Sequence, residues 1–599
     1  MKRRAPFLLF LLLTAVGVAR IVSSYRAIAQ TSDETPNIAC GMQYLDLGRY
    51  DYGAFHPPLV RLAIALGPYL YGARSQRLPD RWREGNAVLN SARRYGKALT
   101  LARLGILPFF VLASACVWLW GRSLLGEWGA LAPVFLFTNI PPVLAHAGVA
   151  TMDMAIGAGV CAALLAFARW LEQPTPGRGV MLGVGLALAF LSKFSSVLLV
   201  PVCVAAIVVL RARKPLPYGR GSEGVSTGRG SAGVSTGISA GPGWAASAGI
   251  ALLVASLLIW AAYGFSFGRI TEHVADDAAA QGGILARVPA PLYRLLERTS
   301  LPAPAIVDGL WQVHNHVEGG HAAYLLGRNS LHGWWYFFPV ALSLKTPLAL
   351  LILAGAGWFA LFREKLRPFD WRAWVPAVAG AAILLVNLPT SLNIGVRYML
   401  PLYPMLALTG GVGAVYLLRG GRDPLGREAE GARGSSASVW PRVLAVFLML
   451  WTAVSAWAAH PDYLAYFNEF AGSHPERYLV DSDLDWGQDM NLLVAELKRR
   501  HVPRLHMQCL YTGDDSRLDL PIWDSLEPYQ PVTGWVAISF TMQKTYGWVV
   551  AQQKGRGDLA FAWLDRYQPV ARVGKSILLY DIPEARPNIP DAHPTEPRP

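Results

Sequence analysis

The chain has 599 residues, 53% of them hydrophobic and only 16% charged, with 21 Trp and a net charge of +14. A charged fraction this low, together with several runs of roughly 18–25 apolar residues, excludes an ordinary soluble protein and points to a polytopic α-helical membrane protein. Much of the Lys and Arg lies in short segments between apolar runs, so membrane topology accounts for the charge; no basic motif with aromatic interleaving is present, and no nucleic-acid partner is expected.

In chain order, "MKRRAPFLLFLLLTAVGVARIVSSY" reads as an uncleaved first span with Lys2, Arg3 and Arg4 inside. Further spans are expected near 98–120, 129–148, 154–172, 179–192, 195–210, 244–265, 334–362, 373–391, 398–418 and 442–459, about 11 with the first at 5–25. The fifth and sixth are short, and merging them would invert everything downstream. Charge placement favours keeping them apart: "RARKPLPYGRGSEG", "REKLRPFDWR" and "RGGRDPLGRE" then fall inside, while 139–153 and 387–396 carry no Lys or Arg and fall outside. Residues 211–243, with the imperfect repeat "GRGSEGVST" and "GRGSAGVST", read as a flexible cytoplasmic linker. The transmembrane domain thus covers 1–459. Its two large outer loops are 26–97 and 266–333, the second with helices around "APLYRLLERTS". The tail 460–599 alternates strand-like runs ("RYLVD", "RLHMQCLY", "GWVAISF", "SILLYDI") with helix-like ones ("DMNLLVAELKRRH", "LAFAWLDRY") and reads as a C-terminal extracytoplasmic α/β domain.

Of the five cysteines, none forms a CxxC pair, which leaves a zinc ribbon or redox motif unsupported; only Cys40 and Cys509 lie where a disulfide is conceivable. "HNHVEGGH" at 314–321 lacks the HExxH spacing, and its two glycines favour a loop over a metal set. "DSDLDWGQD" at 481–489 lacks the glycine and terminal Glu of a calcium loop, so turn chemistry is its default. Trp334, Trp335 and Tyr336 suit interfacial anchoring.

The acid pair Asp33–Glu34 in "TSDETPNIACG" sits at the outer end of the first span. Alone it reads as a helix-capping turn. About twenty positions on comes "YLDLGRYDYGAFHPPLVRL", with His56-Pro57-Pro58-Leu59 and then Val60-Arg61. An acid pair after the first span, followed by HPPL and a basic residue, resembles the protein O-mannosyltransferases. The wider class is the GT-C polyprenyl-phosphate-sugar-dependent glycosyltransferases, which includes the aminoarabinose transferases. Those mannosyltransferases often carry Gly-Lys where this chain has Val60-Arg61. "ATMDMAIGA" with Asp153 and "LSKFSSVLLVP" with Lys193 resemble further family elements. So do "GWWYFFPVALSLKTPL" with Lys345, "NIGVRYMLPLYP" with Arg397, and "DSDLDWGQDMNLL".

The resemblance implies a GT-C-like fold in a bacterial inner membrane and transfer, with inversion, of a sugar from a polyprenyl-phosphate carrier to an extracytoplasmic acceptor. Physically, a carboxylate at the membrane edge can meet a lipid-borne donor and a water-borne acceptor together. Asp33 is therefore the candidate general base, with Glu34 orienting it, binding acceptor or serving structure. Lys193, Lys345 and Arg397 are intramembrane or edge cations, functional candidates by their cost. Arg397 ranks first for a phosphate leaving group because of its planar fork; His56 and Arg61 are further donor-site candidates, and Asp153 binds sugar hydroxyls, is a second catalytic carboxylate or caps a helix. Membrane lipid is an expected partner, and a divalent metal is left open. The alternatives are a secondary transporter, or a non-catalytic envelope protein that binds lipid-linked sugar.

Overall fold

A computed structural model describes residues 4–50, 52–212, 242–269, 299–363, 370–422, 424–425 and 438–583. The expected linker and the helices around 290–298 lie largely outside the described residues.

Every apolar stretch expected to span contains helix. Five described helical stretches are long and apolar enough to cross a bilayer: Ala5–Ser24, Tyr95–Gly129, Asp153–Glu172, Gly243–Ala262 and Trp440–Ala458. Pro176–Ser192, Ser196–Ala212, Trp371–Asn387 and Leu402–Leu418 are apolar but only 17 residues each. The fifth and sixth stretches are separate helices, parted by Lys193-Phe194-Ser195. Two expected spans are broken. The third is Leu131–Phe137 followed by Pro141–Ala147. The eighth is Phe337–Lys345 and Leu348–Arg363, bent by 113°. The latter break falls at Thr346-Pro347, where proline removes a backbone donor and its ring clashes with the preceding turn.

Leu8, Leu12, Leu252, Leu253, Phe447, Leu450 and Trp457 stand exposed on the outermost helices. Asp153–Glu172, in contrast, is buried almost throughout. An apolar rim around a packed helix bundle is the arrangement that lipid, rather than water, requires. Small residues set the packing: a Cβ on Gly183 would lie 2.5 Å from the Ala251 carbonyl oxygen, and one on Gly179 2.5 Å from that of Ser247. That GxxxG face lets Pro176–Ser192 meet Pro242–Ala262 backbone to backbone.

The segment 26–97 is helical rather than irregular, with Glu34–Leu47, Pro58–Leu70 and Arg81–Ser91. Pro57-Pro58 preset the start of the second of these, as proline at N1 does. In 266–333, strands β1 (Phe267–Arg269) and β2 (Ser300–Pro302) pair antiparallel. Helix Ala305–Gly319 follows, then a hairpin of β3 (Ala323–Leu325) and β4 (Arg328–Ser330).

The C-terminal region carries a mixed five-stranded sheet built from β5 (Arg504–Gln508), β6 (Ile522–Ser525), β7 (Gly534–Ser539), β8 (Ala571–Val573) and β9 (Ile577–Ile582). Their order is β6-β5-β7-β9-β8. β5 runs parallel to β6 and β7, whereas β9 is antiparallel to β7 and β8. Met490, Leu493 and Leu497 of helix Met490–Arg499 pack with Leu505, Ala537 and Leu579, while Phe561 and Leu564 pack with Val536 and Ile538. Two expectations fail here: "RYLVD" is not a strand but joins the 3-10 turns Pro475–Arg477 and Asp481–Asp483, and "LAFAWLDRY" holds only the 3-10 turn Ala562–Arg566.

Candidate active site

Glu34 opens helix Glu34–Leu47 and is fully buried. The Arg103 guanidinium grips it bidentately, Nε to Oε1 and Nη2 to Oε2, both at 2.8 Å. The backbone N–H groups of Thr31 (2.8 Å) and Ala150 (2.9 Å) donate to the same carboxylate. With four donors on two oxygens and no exposed surface, Glu34 has the surroundings of the structural role that the sequence left open beside orientation of Asp33 and acceptor binding. It anchors the turn before the helix. Sequence reading passed over Arg103, although an arginine inside an apolar run is the same signal that flagged Lys193.

Asp33 differs in every respect. It stands at the N-cap position, yet its side chain makes no capping hydrogen bond. Instead Arg397 Nη1 donates to Asp33 Oδ2 at 2.5 Å. The Asp33 side chain is 41% exposed and that of Arg397 12%. Arg397 sits in the 3-10 turn Val396–Met399, after Gly395 at φ 80° breaks the preceding extended chain. Its Nη1 also lies 3.9 Å from Asp153 Oδ2. Asp153, buried at the start of its helix, accepts from Lys193 Nζ at 2.9 Å. Lys193 caps the end of Pro176–Ser192 and lies 4.4 Å from the Tyr398 ring centroid, so it is held by a carboxylate and does not snorkel. Asp33, Asp153, Lys193 and Arg397 thus meet, although 364 positions separate the first from the last.

Beside them lies a second cationic group. Arg61 is fully buried, stacked 5.0 Å from the Phe55 ring. Its Nη1 donates to the Tyr50 hydroxyl (2.9 Å) and the Gly53 carbonyl. Arg81 lies 4.7 Å from the same Phe55 ring. Three buried nitrogens there, Arg61 Nη2, Arg81 Nε and His56 Nδ1, have no hydrogen-bond partner. Among the described residues no carboxylate forms an ion pair with Arg61 or Arg81. Burial first, then the charges of Arg61, Lys193, Arg397 and Arg81, holds His56 well below the ordinary imidazole range. Unpaired buried donors around a neutral imidazole make a site that lacks an anion. Arg81 carried no sequence signal beyond membership of an arginine-rich segment.

Lys345 does not join this cluster. Its Nζ donates to the carbonyls of Leu464 (2.7 Å) and Asp483 (2.5 Å), at the helix break. This corrects its placement deep within a continuous span: it ends the helix before the break, and both of these contacts are to backbone carbonyls.

His314, His316 and Glu318 lie on helix Ala305–Gly319, not in a loop; the helix ends where Gly320 takes φ 72°. His314 Nε2 is 3.3 Å from Glu318 Oε1. Among the described residues no three His, Cys, Asp or Glu side chains converge as a metal set. None of the five cysteines forms a disulfide, Cys40 and Cys509 included.

Residues 95–222, which include Arg103, Asp153 and Lys193, match the family model described as dolichyl-phosphate-mannose-protein mannosyltransferase. The chain is similar to the solved archaeal oligosaccharyltransferase AglB from Archaeoglobus fulgidus, in complex with an inhibitory peptide and a dolichol-phosphate. That likeness has a TM-score of 0.50 at 11% identity and covers 95% of this chain and 73% of that one. It is also similar to ArnT from Cupriavidus metallidurans bound to undecaprenyl phosphate, with a TM-score of 0.45 at 12% identity over 95% of this chain and 97% of that one. No curated protein matches the chain significantly. The likeness to the archaeal oligosaccharyltransferase shows a shared fold, in keeping with the resemblance that the acid pair and HPPL element suggested.

Proposed function

We propose that this protein is a membrane glycosyltransferase that moves a sugar from a polyprenyl-phosphate carrier to an acceptor on the extracytoplasmic face. The observation that carries the reading is a half-exposed carboxylate, Asp33, beside buried cationic donors that have no anion of their own. The archaeal oligosaccharyltransferase named above was solved with a dolichol-phosphate, which supports a donor of that class.

In this reading the phosphate lies against Arg61 Nη2, Arg81 Nε and His56. Asp33 takes the proton of the acceptor hydroxyl as its oxygen attacks the anomeric carbon. The bond from that carbon to the phosphate oxygen breaks, and the phosphate leaves as an anion already matched by the arginines. Attack from the face opposite the leaving group inverts the centre. Arg397 holds Asp33 in place through their hydrogen bond, while Lys193 and Asp153 pair with each other beside it. The transporter alternative gains little from the broken helix at Thr346-Pro347, because Lys345 and the carbonyls it binds fill that break.

The test uses purified full-length protein in lipid, radiolabelled polyprenyl-phosphate sugars and a membrane extract as acceptor. Asp33→Asn is expected to lose transfer by roughly 10²–10⁴-fold, the usual worth of a general base, while still binding donor. Equal transfer by wild type and Asp33→Asn would remove Asp33 from the chemistry. Donor binding by the wild type without transfer to any acceptor would favour the non-catalytic binder.

A further inference from the structure

Asp33 and Arg397 stand on different segments, and neither segment fixes their separation by itself. The backbone before Asp33 is a turn between helices, and that before Arg397 bends at Gly395. One stretch of the C-terminal region, 481–488, touches both. On the Asp33 side, Ser32 N–H donates to the Trp486 carbonyl at 3.1 Å and Ala29 N–H to the Gln488 carbonyl at 2.8 Å. Thr512 Oγ1, from the loop after β5, donates to the Ser32 carbonyl at 2.9 Å. On the Arg397 side, Asp483 Oδ1 accepts from Val396 N–H at 2.9 Å, and Ser482 Oγ donates to the Ile394 carbonyl at 3.1 Å. The Trp486 ring then lies 4.6 Å from the Arg397 guanidinium.

This stretch is itself held firmly. Asp483 and Trp486 are 1% and 2% exposed. The Gln488 side chain closes the turn from within, accepting from Trp486 N–H and donating to the Leu484 carbonyl, both at 2.8 Å. Gly487 takes φ 89°, and a Cβ there would lie 2.5 Å from the Leu510 carbonyl oxygen. Lys345 Nζ ties the Asp483 carbonyl to the bundle.

We infer that residues 481–488 form a clamp that sets the Asp33–Arg397 geometry, with Asp483 and Trp486 as positioning residues for the transfer. The inference rests on the function proposed above. The C-terminal region is then part of the catalytic machinery. Asp483 acts through the Val396 backbone, and Trp486 acts twice, through its carbonyl on Ser32 and its ring on Arg397. Neither touches the phosphate pocket formed by Arg61, Arg81 and His56.

The experiment compares full-length Trp486→Leu, Trp486→Phe, Asp483→Ala and Asp483→Asn in lipid. Misplacing a catalytic group by about 1 Å costs up to ~10²-fold, so Trp486→Leu and Asp483→Ala are expected to lower kcat about 10- to 100-fold with donor KM within about 3-fold. Trp486→Phe keeps a ring face and Asp483→Asn keeps an acceptor oxygen, so both are expected to recover most of the rate. Hydrogen exchange read by mass spectrometry gives a second answer, independent of turnover. Peptides covering 29–36 and 393–400 are expected to exchange faster in the Leu and Ala variants, with the helix Asp153–Glu172 unchanged. Normal kcat in both of those variants, or unchanged exchange at 29–36, overturns the clamp. If Asp33→Asn transfers as well as wild type, the proposed chemistry is what fails, and the exchange data still decide the clamp.

Discussion

Cations at the Asp33 face fall into two classes, and the difference decides which of them binds an anion. Arg397 and Lys193 already face Asp33 and Asp153. Arg61 and Arg81 face aromatic rings, hydroxyl and carbonyl groups, with nitrogens left unpaired. An incoming phosphate would compete with a carboxylate at the first pair but fill an empty place at the second. Guanidinium geometry ranks Arg397 first for phosphate in the sequence; in the function proposed above that role falls to Arg61 and Arg81, whose nitrogens are unpaired. A hydrogen bond to a charged group is worth about 1.5–3 kcal/mol. Arg81→Gln is therefore expected to raise donor KM by roughly 10- to 100-fold with kcat little changed. Arg397→Gln is expected to do the reverse, lowering kcat with donor KM nearly constant. Steady-state kinetics on both variants separates the assignments: a KM effect confined to Arg397→Gln would return the phosphate to the original candidate.

Single elements show why part of this was legible and part was not. The apolar stretches, the separateness of helices 176–192 and 196–212, and the strands β5, β7 and β9 follow from hydrophobic runs and alternation, which are local. Lys193 and Arg397 were legible because charge inside or beside an apolar run is costly wherever it lies, whereas Asp33 and Asp153 stood out through the family resemblance. Trp486 was hidden because its contact with Arg397 spans 89 positions, and the part played by Glu34 was left open in the sequence because Arg103 lies in another helix. The same cluster "DSDLDWGQD" holds two carboxylates whose state is set by burial. Asp485 is pushed up to about 7 and Asp489 to about 6, in each case by desolvation first. Asp489 and Cys509 are the titratable neighbours of Asp485, and the thiol too is pushed upward. In the unfolded chain Asp485 loses its proton near the ordinary carboxylate value, whereas in the folded chain it keeps it until about pH 7. Its contribution to stability is therefore largest in acid, declines as pH rises between those two values, and is flat above. One proton bounds the slope at about 1.4 kcal/mol per pH unit. Asp485→Asn is always neutral, so its stability should vary less from pH 5 to 7, and it should melt higher than wild type at pH 8. Thermal unfolding of the full chain in detergent across that range is the measurement; parallel curves for the two proteins would refute the assignment.

At the scale of the whole molecule the two ends of the bundle differ in chemistry. One end gathers Asp33, Asp153, Lys193, Arg397 and the C-terminal sheet. The other gathers arginines at helix ends: Arg178 and Arg372 both reach Glu172, at 3.5 and 3.1 Å, and Arg211 lies 5.5 Å from the Trp371 ring. Since short basic connections stay in the cytoplasm, the arginine end should face inward and Asp33 outward, where a carrier lipid presents its sugar to envelope acceptors. The native cysteines allow a direct check, because four of the five are buried and only Cys509 is partly exposed. In a Cys509→Ala background, Lys554→Cys places a thiol on an exposed position of the C-terminal region, and Gln173→Cys places one at the arginine end. A membrane-impermeant maleimide applied to intact cells (spheroplasts, where an outer membrane blocks access) is expected to label the first and to reach the second only after permeabilisation. The reverse pattern would put Asp33 in the cytoplasm. The acceptor would then have to be a cytoplasmic molecule, and the phosphate pocket, rather than the direction of transfer, would be what survives of the proposed function.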